Sequence, residues 1–452
     1  MEKKRYERPT VIRQHSGFMN KFGSKQIASA VREIEGIPVS YLLEKFGSPL
    51  FVISENKIRE NQRKMNRIFK TRYPRVQFAW SYKTNYLDAV CSVFHSEGSW
   101  AEVVSGFEYD KARALGVRGE YIIFNGPDKS RSALERAINE SAKIHIDHFD
   151  ELYDIIEIAG ILGKKAKVAI RVNMDTGIYP KWDRFGFNYE NGEAWQAIKR
   201  IISSKEMDLV GLHTHIGTYM MSADAYKVAA SKLAALATSI KSEYGILLDY
   251  IDMGGGFPSN NTLNGQYLPA EQVLPSPEEF AEAISSGLFE MHFRPDELPM
   301  LILESGRALI DDAAHLLSTV LAVKRLSNGK RALIIDAGLN LLFTKLWYKH
   351  RISPAQESGL FTEDVAIYGP LCMNIDCIAE SITLPVLKKG DKVVIDYVGA
   401  YDMTQWLQFI HMRPNIVMIM KDGSVEIIRK EENLEYIKQQ EILPESLKFT
   451  LK

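Results

Sequence analysis

Strand-like and helix-like segments alternate along the chain between residues 77 and 306. Eight apolar, strand-like runs lie in this stretch, at 77–83, 100–105, 121–126, 143–148, 167–173, 208–217, 250–256 and 300–306. Helical stretches separate them, for example at 107–116, 130–140, 150–162, 223–243 and 276–290. This alternation predicts parallel βαβ units, and eight of them suffice for a closed (β/α)8 barrel of the TIM type. An open, doubly wound sheet is the alternative, but no GxGxxG turn follows a first strand.

The pattern changes after Arg307. Strand-like runs follow one another with little helix between them, at 315–325, 331–337, 364–371, 382–387, 391–400, 415–421 and 425–430. Lys388–Asp391 and Lys421–Ser424 are turn signals, and the second favours a hairpin. We therefore predict an α/β chain with a barrel over 50–307 and a mainly-β domain formed by 1–49 and 308–452.

Composition excludes several classes of function. The chain has 452 residues, a formal net charge of −1 and basic residues spread along its length, which argues against nucleic acid or an anionic membrane as the main partner. No apolar run approaches the roughly 20 residues of a membrane span. Three cysteines without a CxxC pair indicate a reducing compartment, and Met1–Glu7 lacks the apolar core of a signal peptide. The expectation is a cytoplasmic protein of enzyme size.

Lys83 stands where the first barrel strand ends, in the stretch Trp80–Asn85. Side chains at the carboxyl ends of barrel strands point into the mouth, where such folds carry out their chemistry. An amine held there can form a Schiff base with an aldehyde. The plain alternative is a surface lysine that closes a strand, so the other strand ends decide between the two.

Those other strand ends carry polar groups that could together hold a phosphorylated ligand. Three glycines, 254–256, follow one strand and could close backbone N–H groups around a phosphate, although glycine runs also make ordinary turns. His213 and His215 end the preceding strand and read as a core pair or a metal pair; no cysteine or third histidine is placed to complete a zinc site. Glu304 and Arg307 end the last strand, where a structural ion pair is the alternative.

Together these motifs resemble those of the pyridoxal-phosphate decarboxylases with an alanine-racemase-like barrel, namely the diaminopimelate, ornithine and arginine decarboxylases. The likeness extends from about residue 45 to about residue 430. The family's YAxKAN corresponds to Trp80–Asn85, its HxGS to His215–Thr218 and its EPGR to Glu304–Arg307. GGGFP and GAY match without change at 254–258 and 399–401, and C-x-x-x-D corresponds to Cys372–Asp376.

The resemblance implies pyridoxal 5′-phosphate as cofactor, bound as a Schiff base to Lys83. His215 would stack on the pyridine ring, Glu304 would face the ring nitrogen, and Arg307 would meet the phosphate. The full set of positions that it implies for cofactor binding is Lys83, Glu102, Arg171, His215, Thr218, Gly254, Gly255, Gly256, Glu304, Gly306, Arg307 and Tyr401. No metal is expected.

The resemblance also implies a decarboxylase. A carboxylate such as Glu304 favours the protonated ring nitrogen, which suits loss of CO2, whereas racemases of this fold place a cation there. Lys83, His215, Glu304 and Cys372 would be catalytic, with the Cys372 thiol giving the α-carbon its proton. The plain interpretation of this cysteine is a small buried hydrophobe. Cys372 and Asp376 would enter the partner subunit's site, so a homodimer is expected. A racemase and a catalytically silent, cofactor-binding regulator are the alternatives.

Departures from the family motifs concern mainly the substrate. Glu102 replaces an aspartate and Ser305 a proline, which leaves the chemistry unchanged. The substrate-binding positions implied by the resemblance are Thr344, Tyr348, Met373 and Asp376. Thr344 stands where diaminopimelate enzymes carry an arginine, and Met373 where relatives carry an acidic residue.

These departures predict an amino-acid substrate whose far end is neutral or carries carboxylates. An acylated or conjugated diamino acid and a carrier-linked intermediate fit this description, and plain diaminopimelate, lysine, ornithine or arginine is the alternative. Basic residues near the family's pocket positions favour the modified substrate: Lys345, His350, Arg351, His411 and Arg413.

Overall fold

A computed structural model of the chain describes residues 29–357 and 361–449. The part of the predicted β-rich domain that falls in residues 1–28 lies outside the described residues. The first described elements are β1 (Glu33–Ile34), β2 (Ile37–Pro38), α1 (Val39–Phe46), β3 (Leu50–Ser54) and α2 (Glu55–Lys70).

Eight parallel strands then form a closed barrel. The strands of this region are β4 (Val76–Ser81), β5 (Trp100–Val103), β6 (Ile122–Phe124), β7 (Lys143–Ile146), β8 (Ala166–Asn173), β9 (Phe187–Asn188), β10 (Met207–His213), β11 (Tyr250–Asp252), β12 (Thr262–Leu263) and β13 (Met300–Leu303). Their order is β10-β11-β13-β4-β5-β6-β7-β8, and β8 pairs again with β10 to complete the ring. The predicted barrel, rather than the open sheet, is therefore confirmed; β9 and β12 are short additions outside the ring.

Helices connect the strands where the sequence predicts them. They are α3 (Asp88–Ser96), α4 (Gly106–Ala114), α5 (Arg131–Asn139), α6 (Phe149–Leu162), α7 (Glu193–Ser203), α8 (Ala223–Tyr244), α9 (Ala270–Val273), α10 (Pro277–Phe289) and α11 (Arg307–Ile310). Local chemistry fixes several ends. Ser276 and Glu279 form a capping box at the start of α10, and Gly245 ends α8 at a φ of 68°. Within the described residues, no helix has the length and apolarity needed to cross a membrane.

A second, mainly antiparallel sheet follows the barrel. Its C-terminal elements are β14 (Ala314–Arg325), β15 (Arg331–Ile335), β16 (Tyr348–Lys349), β17 (Ile352–Pro354), β18 (Thr362–Tyr368), β19 (Cys377–Pro385), β20 (Lys392–Asp396), β21 (Ile416–Ile419), β22 (Val425–Arg429) and α12 (Leu434–Lys438). The β-rich C-terminal region thus agrees with the prediction. β16 lies apart and pairs with β12 from the barrel's long 257–275 loop.

Strand β3 joins this second sheet and not the barrel. It lies between β14 and β21, antiparallel to the first and parallel to the second. The predicted barrel region began at residue 50 and so included this strand, whereas in the structure the strand belongs to the second sheet. All five of its residues are buried, and a short apolar strand buried on both faces has no sequence pattern that selects its partners. The domain limits as such stay a prediction.

Candidate active site

A cavity of about 540 Å³ opens at the carboxyl ends of the barrel strands. Predicted site residues that line it are Lys83, Glu102, Arg171, His215, Thr218, Glu304, Arg307, Thr344, Tyr348 and Tyr401. They come from separate strand ends and from the second sheet's loops, and closing the barrel brings those ends together. The size is that of a small-molecule pocket.

Lys83 enters this cavity from a 3₁₀ turn, Tyr82–Thr84, that ends β4. Its Nζ lies 2.8 and 2.7 Å from the two carboxylate oxygens of Glu102. Burial opposes the charged amine, but the carboxylates of Glu102 and Glu304 outweigh it and raise the pKa of Lys83. The free amine is therefore held as an ammonium until a ligand changes its surroundings.

The turn that carries Lys83 is fixed by a loop of the C-terminal region. The backbone N–H of Tyr401 donates to the carbonyl of Thr84 at 2.8 Å, and the Thr404 hydroxyl donates to the carbonyl of Lys83 at 2.9 Å. Asn85 reaches the same loop through the carbonyl of Gly399 at 3.1 Å. The second sheet thereby sets the position of the lysine as well as closing the cavity.

A small recess adjoins the cavity between the glycine loop and Arg307. It is lined by Lys83, Thr84, Thr218, Gly255, Gly256, Gly306, Arg307 and Tyr401, among others. The loop fits only glycine: a Cβ on Gly255 would overlap the carbonyl oxygen of Glu304, and one on Gly256 would overlap that of Gly217. Gly254 and Gly256 also adopt φ values of 66° and 95°.

Two buried donors of this recess have no hydrogen-bond partner among the described residues, Arg307 Nε and Thr84 Oγ1. The Arg307 guanidinium is clamped between aromatic rings, 4.2 Å from the ring centre of Tyr348 and 5.0 Å from that of Tyr401. A fixed cation beside a free hydroxyl and a close glycine turn suits a phosphate. The donor set therefore fits the phosphate end of pyridoxal phosphate.

His215 lies in the same cavity with a defined tautomer. The backbone N–H of Gly255 donates to His215 Nδ1 at 3.2 Å. Burial lowers the pKa of His215 well below 6.5, so the ring is neutral and carries its proton on Nε2. Trp182 meets the imidazole edge-on, with ring centres 5.6 Å apart. A flat, neutral ring held at this depth is suited to stacking on a planar ligand.

The structure corrects the sequence argument about His213. A further imidazole does stand beside it: the rings of His213 and His145 have centres 4.6 Å apart. One nitrogen of each ring and one oxygen of Glu304 lie within 4.8 Å of one another. His145 was not considered from sequence because it lies on β7, far from His213 along the chain.

Three predicted residues, Cys372, Met373 and Asp376, do not line the cavity of their own chain. Cys372 is exposed. Asp376 is buried, and its two oxygens accept from the backbone N–H groups of Leu339 and Leu371 at 2.6 and 2.8 Å. Asp376 therefore shapes the loop that carries Cys372, whereas the catalytic role of Cys372 and the substrate-binding roles of Met373 and Asp376 stay predictions.

Thr344 and the basic residues predicted to read the substrate are mostly engaged elsewhere. The Thr344 hydroxyl donates to Asp402 at 2.7 Å and lies 3.0 Å from His350 Nε2. Arg351 pairs with Asp396 at 2.7 Å, and Arg413 with Glu432 at 2.6 Å. None of the five basic residues, 345, 350, 351, 411 and 413, lines the cavity. The expectation of a carboxylate-binding far end finds no support in this chain.

Asn125 and Trp182 are among the cavity residues that sequence reasoning missed. The Asn125 amide donates to Glu304 Oε1 at 2.5 Å and to Glu102 Oε1 at 3.0 Å, so it joins the two carboxylates of the site. It follows β6 directly, and the strand-end rule that selected Lys83 would have found it. Trp182 lies in the long 174–190 loop, where sequence alone gives no side-chain direction.

Comparison with known proteins places the same residues in a larger context. The family model described as the pyridoxal-dependent decarboxylase, pyridoxal binding domain, matches residues 55–311. That span runs from the start of α2 to the residue after α11, and it includes Lys83, His215, the glycine loop, Glu304 and Arg307.

Full-length relatives are similar over nearly the whole chain. The diaminopimelate decarboxylase of Methanocaldococcus jannaschii is 31% identical, with 92% of this chain and 95% of the relative covered. That of Aquifex aeolicus is 29% identical, with 89% and 94% covered. A crystal structure of the M. jannaschii enzyme superposes with a TM-score of 0.85, at 29% identity and with 93% and 98% covered. A second structure of that enzyme is a complex with L-lysine, with a TM-score of 0.84 at 29% identity over the same shares of the two chains.

Proposed function

The chain belongs to the pyridoxal-dependent decarboxylase family, and on that premise we propose that it removes the α-carboxylate of a diamino-acid-type substrate as CO2. The observation that carries the proposal is that Lys83 and the carboxylate of Glu304 line the same cavity. When bound, pyridoxal phosphate supplies the electron sink that decarboxylation needs. Glu304 would keep the ring nitrogen protonated and that sink strong.

The remaining groups of the cavity bind and orient the cofactor. Lys83 would bind the aldehyde carbon of the cofactor. Glu102 would then no longer pair with the Lys83 ammonium and would accept hydrogen bonds from the other polar groups near it. Arg307, Tyr401, Thr218 and the glycine loop would bind the phosphate, because the recess offers a clamped cation, hydroxyls and a close backbone. His215 would cover one ring face. Arg171, stacked on Phe185 at 4.4 Å, would stand at the edge of the site.

Cys372 is proposed to deliver the final proton to the substrate across a dimer interface. The Cys372 thiol is exposed and away from its own cavity. A second copy of the chain is therefore needed to bring a thiol to each site. The carboxyl group of Asp376 supports this by fixing the loop on which Cys372 lies.

The far end of the substrate is proposed to be neutral, as in an acylated or otherwise conjugated diamino acid. Aromatic and apolar side chains form the outer wall of the cavity, namely Trp182, Tyr219, Leu263, Trp347 and Tyr348. The charged groups that line the cavity are those already assigned to the cofactor. A distal ammonium or carboxylate would lose its hydration there without gaining a partner from this chain.

Borohydride trapping tests the proposed lysine. The purified holoprotein should show an absorption band that borohydride removes, with the label fixed on the peptide that contains Lys83. A label on another lysine, or no cofactor uptake, would contradict the assignment. Lys349 is an exposed lysine that follows Tyr348, a residue of the cavity wall, and Lys349→Ala is the control that should keep both band and label.

A substrate panel tests the reaction and the far end together. CO2 release should be measured for meso-diaminopimelate, lysine, ornithine and arginine, in D and L forms, and for N-acylated and citryl-conjugated diamino acids. We expect the highest kcat/KM with a neutral far end. Faster turnover of a free diamino acid would overturn the neutral-end proposal. Formation of the opposite enantiomer without CO2 would replace decarboxylation by racemisation.

A further inference from the structure

A column of polar side chains runs down the barrel interior beneath Glu304. Nε2 of His145, on β7, lies 3.0 Å from the hydroxyl oxygen of Tyr250, on β11. The His145 ring also packs against the ring of His213. His213 Nε2 lies 3.5 Å from Glu304 Oε2. Strands β7 and β11 are separated in the ring by β8 and β10. Their side chains can meet only inside the barrel.

The barrel is built to admit this column. Strand register places His145, Ala169, Gly211 and Tyr250 side by side on four adjacent strands. The two middle residues are the smallest available, and a Cβ on Gly211 would stand 2.5 Å from the Tyr250 ring. Barrel interiors are normally filled by branched apolar residues. The small pair leaves the room in which the imidazole and the phenol meet.

The column is costly for stability. His145 and His213 are about 1% exposed, and Tyr250 is equally buried. Among the described residues, three ring nitrogens lack a hydrogen-bond partner: both nitrogens of His213 and Nδ1 of His145. A buried polar group without a partner is less favourable than a hydrogen-bonded one. An apolar core would avoid that cost, which indicates that the polar groups serve the site above them.

Protonation keeps the column neutral. Burial lowers the pKa of both histidines well below 6.5, and burial raises that of Tyr250 well above 10. The phenol therefore keeps its proton, and its hydrogen bond with His145 Nε2 joins two neutral groups. Burial and the nearby Glu304 also raise the pKa of Asp252, so that this carboxyl too stays protonated.

Glu304 is thereby surrounded by neutral groups on the side away from the cavity. Asn125 donates to its Oε1 at 2.5 Å, and His213 faces its Oε2. The Asn125 hydrogen bond at one oxygen, and the His213 ring packed 3.5 Å from the other, reduce the rotamer freedom of the Glu304 side chain. The charged side chains of Lys83, Glu102 and Arg171 lie on the cavity side.

We propose that Tyr250, His145 and His213 are positioning residues that hold Glu304 in the orientation in which it meets the ring nitrogen of bound pyridoxal phosphate. This inference rests on the proposed function, because it assigns the column a role only when the cofactor is bound. The column touches neither substrate nor cofactor and acts through Glu304. Its loss should therefore change the protonation of the ring nitrogen more than the affinity for substrate.

The test replaces the polar pair by an apolar pair of similar shape. In the double variant Tyr250→Phe/His145→Leu, both hydrogen-bonding groups are removed together, so no partner is left unsatisfied and Tm should stay equal or rise. Ile302→Val is the matched control, because Ile302 belongs to the same buried cluster as Tyr250 and loses one methylene without any polar change. His145→Gln, which keeps an amide donor and acceptor, is the conservative rescue variant.

The readouts on the holoenzymes are Tm, kcat and KM, and the nuclear magnetic resonance shift of an isotope-labelled ring nitrogen. We expect the apolar double variant to lose ring-nitrogen protonation and about tenfold in kcat, with KM changed less than about twofold. Ile302→Val should keep the wild-type nitrogen shift and kcat, and His145→Gln should recover most of both.

Three results would overturn the inference. The first is an apolar double variant with the wild-type nitrogen shift and kcat, which would make the column an ordinary part of the core. The second is stoichiometric zinc in the wild type that is lost with His145, which would make the cluster a metal site. The third is a wild type that takes up no cofactor at all, and only this result would remove the proposed function as well.

Discussion

At the scale of single residues, Asn125 joins the two carboxylates of the site, and we predict that the enzyme needs this bridge for cofactor binding or turnover. Its amide nitrogen donates to Glu102 and to Glu304. Asn125→Asp keeps the shape but puts a third carboxyl group where a donor is needed. We expect cofactor affinity or kcat to fall at least about tenfold at pH 7, since like charges repel and the two hydrogen bonds are lost.

Part of the loss in Asn125→Asp should be recovered as the pH falls, because the new carboxyl group can then bind a proton and donate it. Spectroscopic titration with pyridoxal phosphate and pH–rate profiles measure both effects. Asn139→Asp makes the same chemical change at the exposed end of α5 and should alter neither. Wild-type affinity and kcat in Asn125→Asp at pH 7 would contradict the bridging role.

A second prediction at this scale concerns His350, which is buried against Thr344 and the carbonyl of Asp396. Burial lowers its pKa to about 4, from about 6.5 in the unfolded chain. At pH values between these two, His350 is protonated in the unfolded chain and neutral in the folded protein. Stability is therefore complete above about pH 6.5 and falls toward pH 4, by at most about 3 kcal/mol for this group.

His350→Gln keeps a hydrogen-bonding side chain and removes this titration. The free energy of unfolding, measured by denaturant between about pH 7 and pH 4.5, should fall less steeply with acid in the variant than in the wild type. His411→Gln makes the same exchange at an exposed imidazole and is the matched control. Equal slopes in His350→Gln and the wild type would mean that other groups account for the acid sensitivity.

At the scale of elements, the glycine loop after β11 depends on close backbone approach more than on flexibility. Gly254 and Gly245 have nearly the same φ, 66° and 68°. A Cβ on Gly254 would lie 2.6 Å from the carbonyl oxygen of Thr214, whereas nothing lies within 4 Å of one on Gly245. The two alanine variants therefore separate left-handed strain from crowding.

Gly245→Ala should lower stability by about 1 kcal/mol and leave cofactor affinity unchanged, because only the strain is added. Gly254→Ala should cost more stability and weaken pyridoxal phosphate binding about tenfold or more, since the loop must move away from the recess. Tm and spectroscopic titration are the measurements. Equal affinities in the two variants would show that the loop's position does not matter to the cofactor.

At the scale of the whole molecule, the exposed Cys372 predicts that two chains complete one site. Lys83→Ala and Cys372→Ala homodimers should each be nearly inactive. After subunit exchange, about half of the dimers carry one intact site, so activity should return to about a quarter of the wild-type value. Mixing Lys83→Ala with the wild type is the matched control, whose activity should stay at about half of the wild-type value because every exchanged dimer keeps one intact site. No recovery after demonstrated exchange would place the proton donor within one chain.

Much of this molecule is determined by local sequence. The eight barrel strands, the helices between them and the later β-rich region agree with the prediction, because the length and period of apolar runs depend on neighbouring residues. Lys83, Glu304 and Arg307 could be selected for the same cavity because each follows a barrel strand, and a closed barrel gathers such ends.

Contacts between distant segments were decided only by the tertiary structure. β3 joins the second sheet, the Thr344 hydroxyl donates a hydrogen bond to Asp402, and His145 packs against His213 inside the barrel. Nothing in the few residues around each of these positions specifies its partner, which lies tens to hundreds of residues away along the chain. The partners are selected by burial, shape and hydrogen bonding once the whole chain has packed, because those free energies depend on three-dimensional neighbours and not on sequence neighbours.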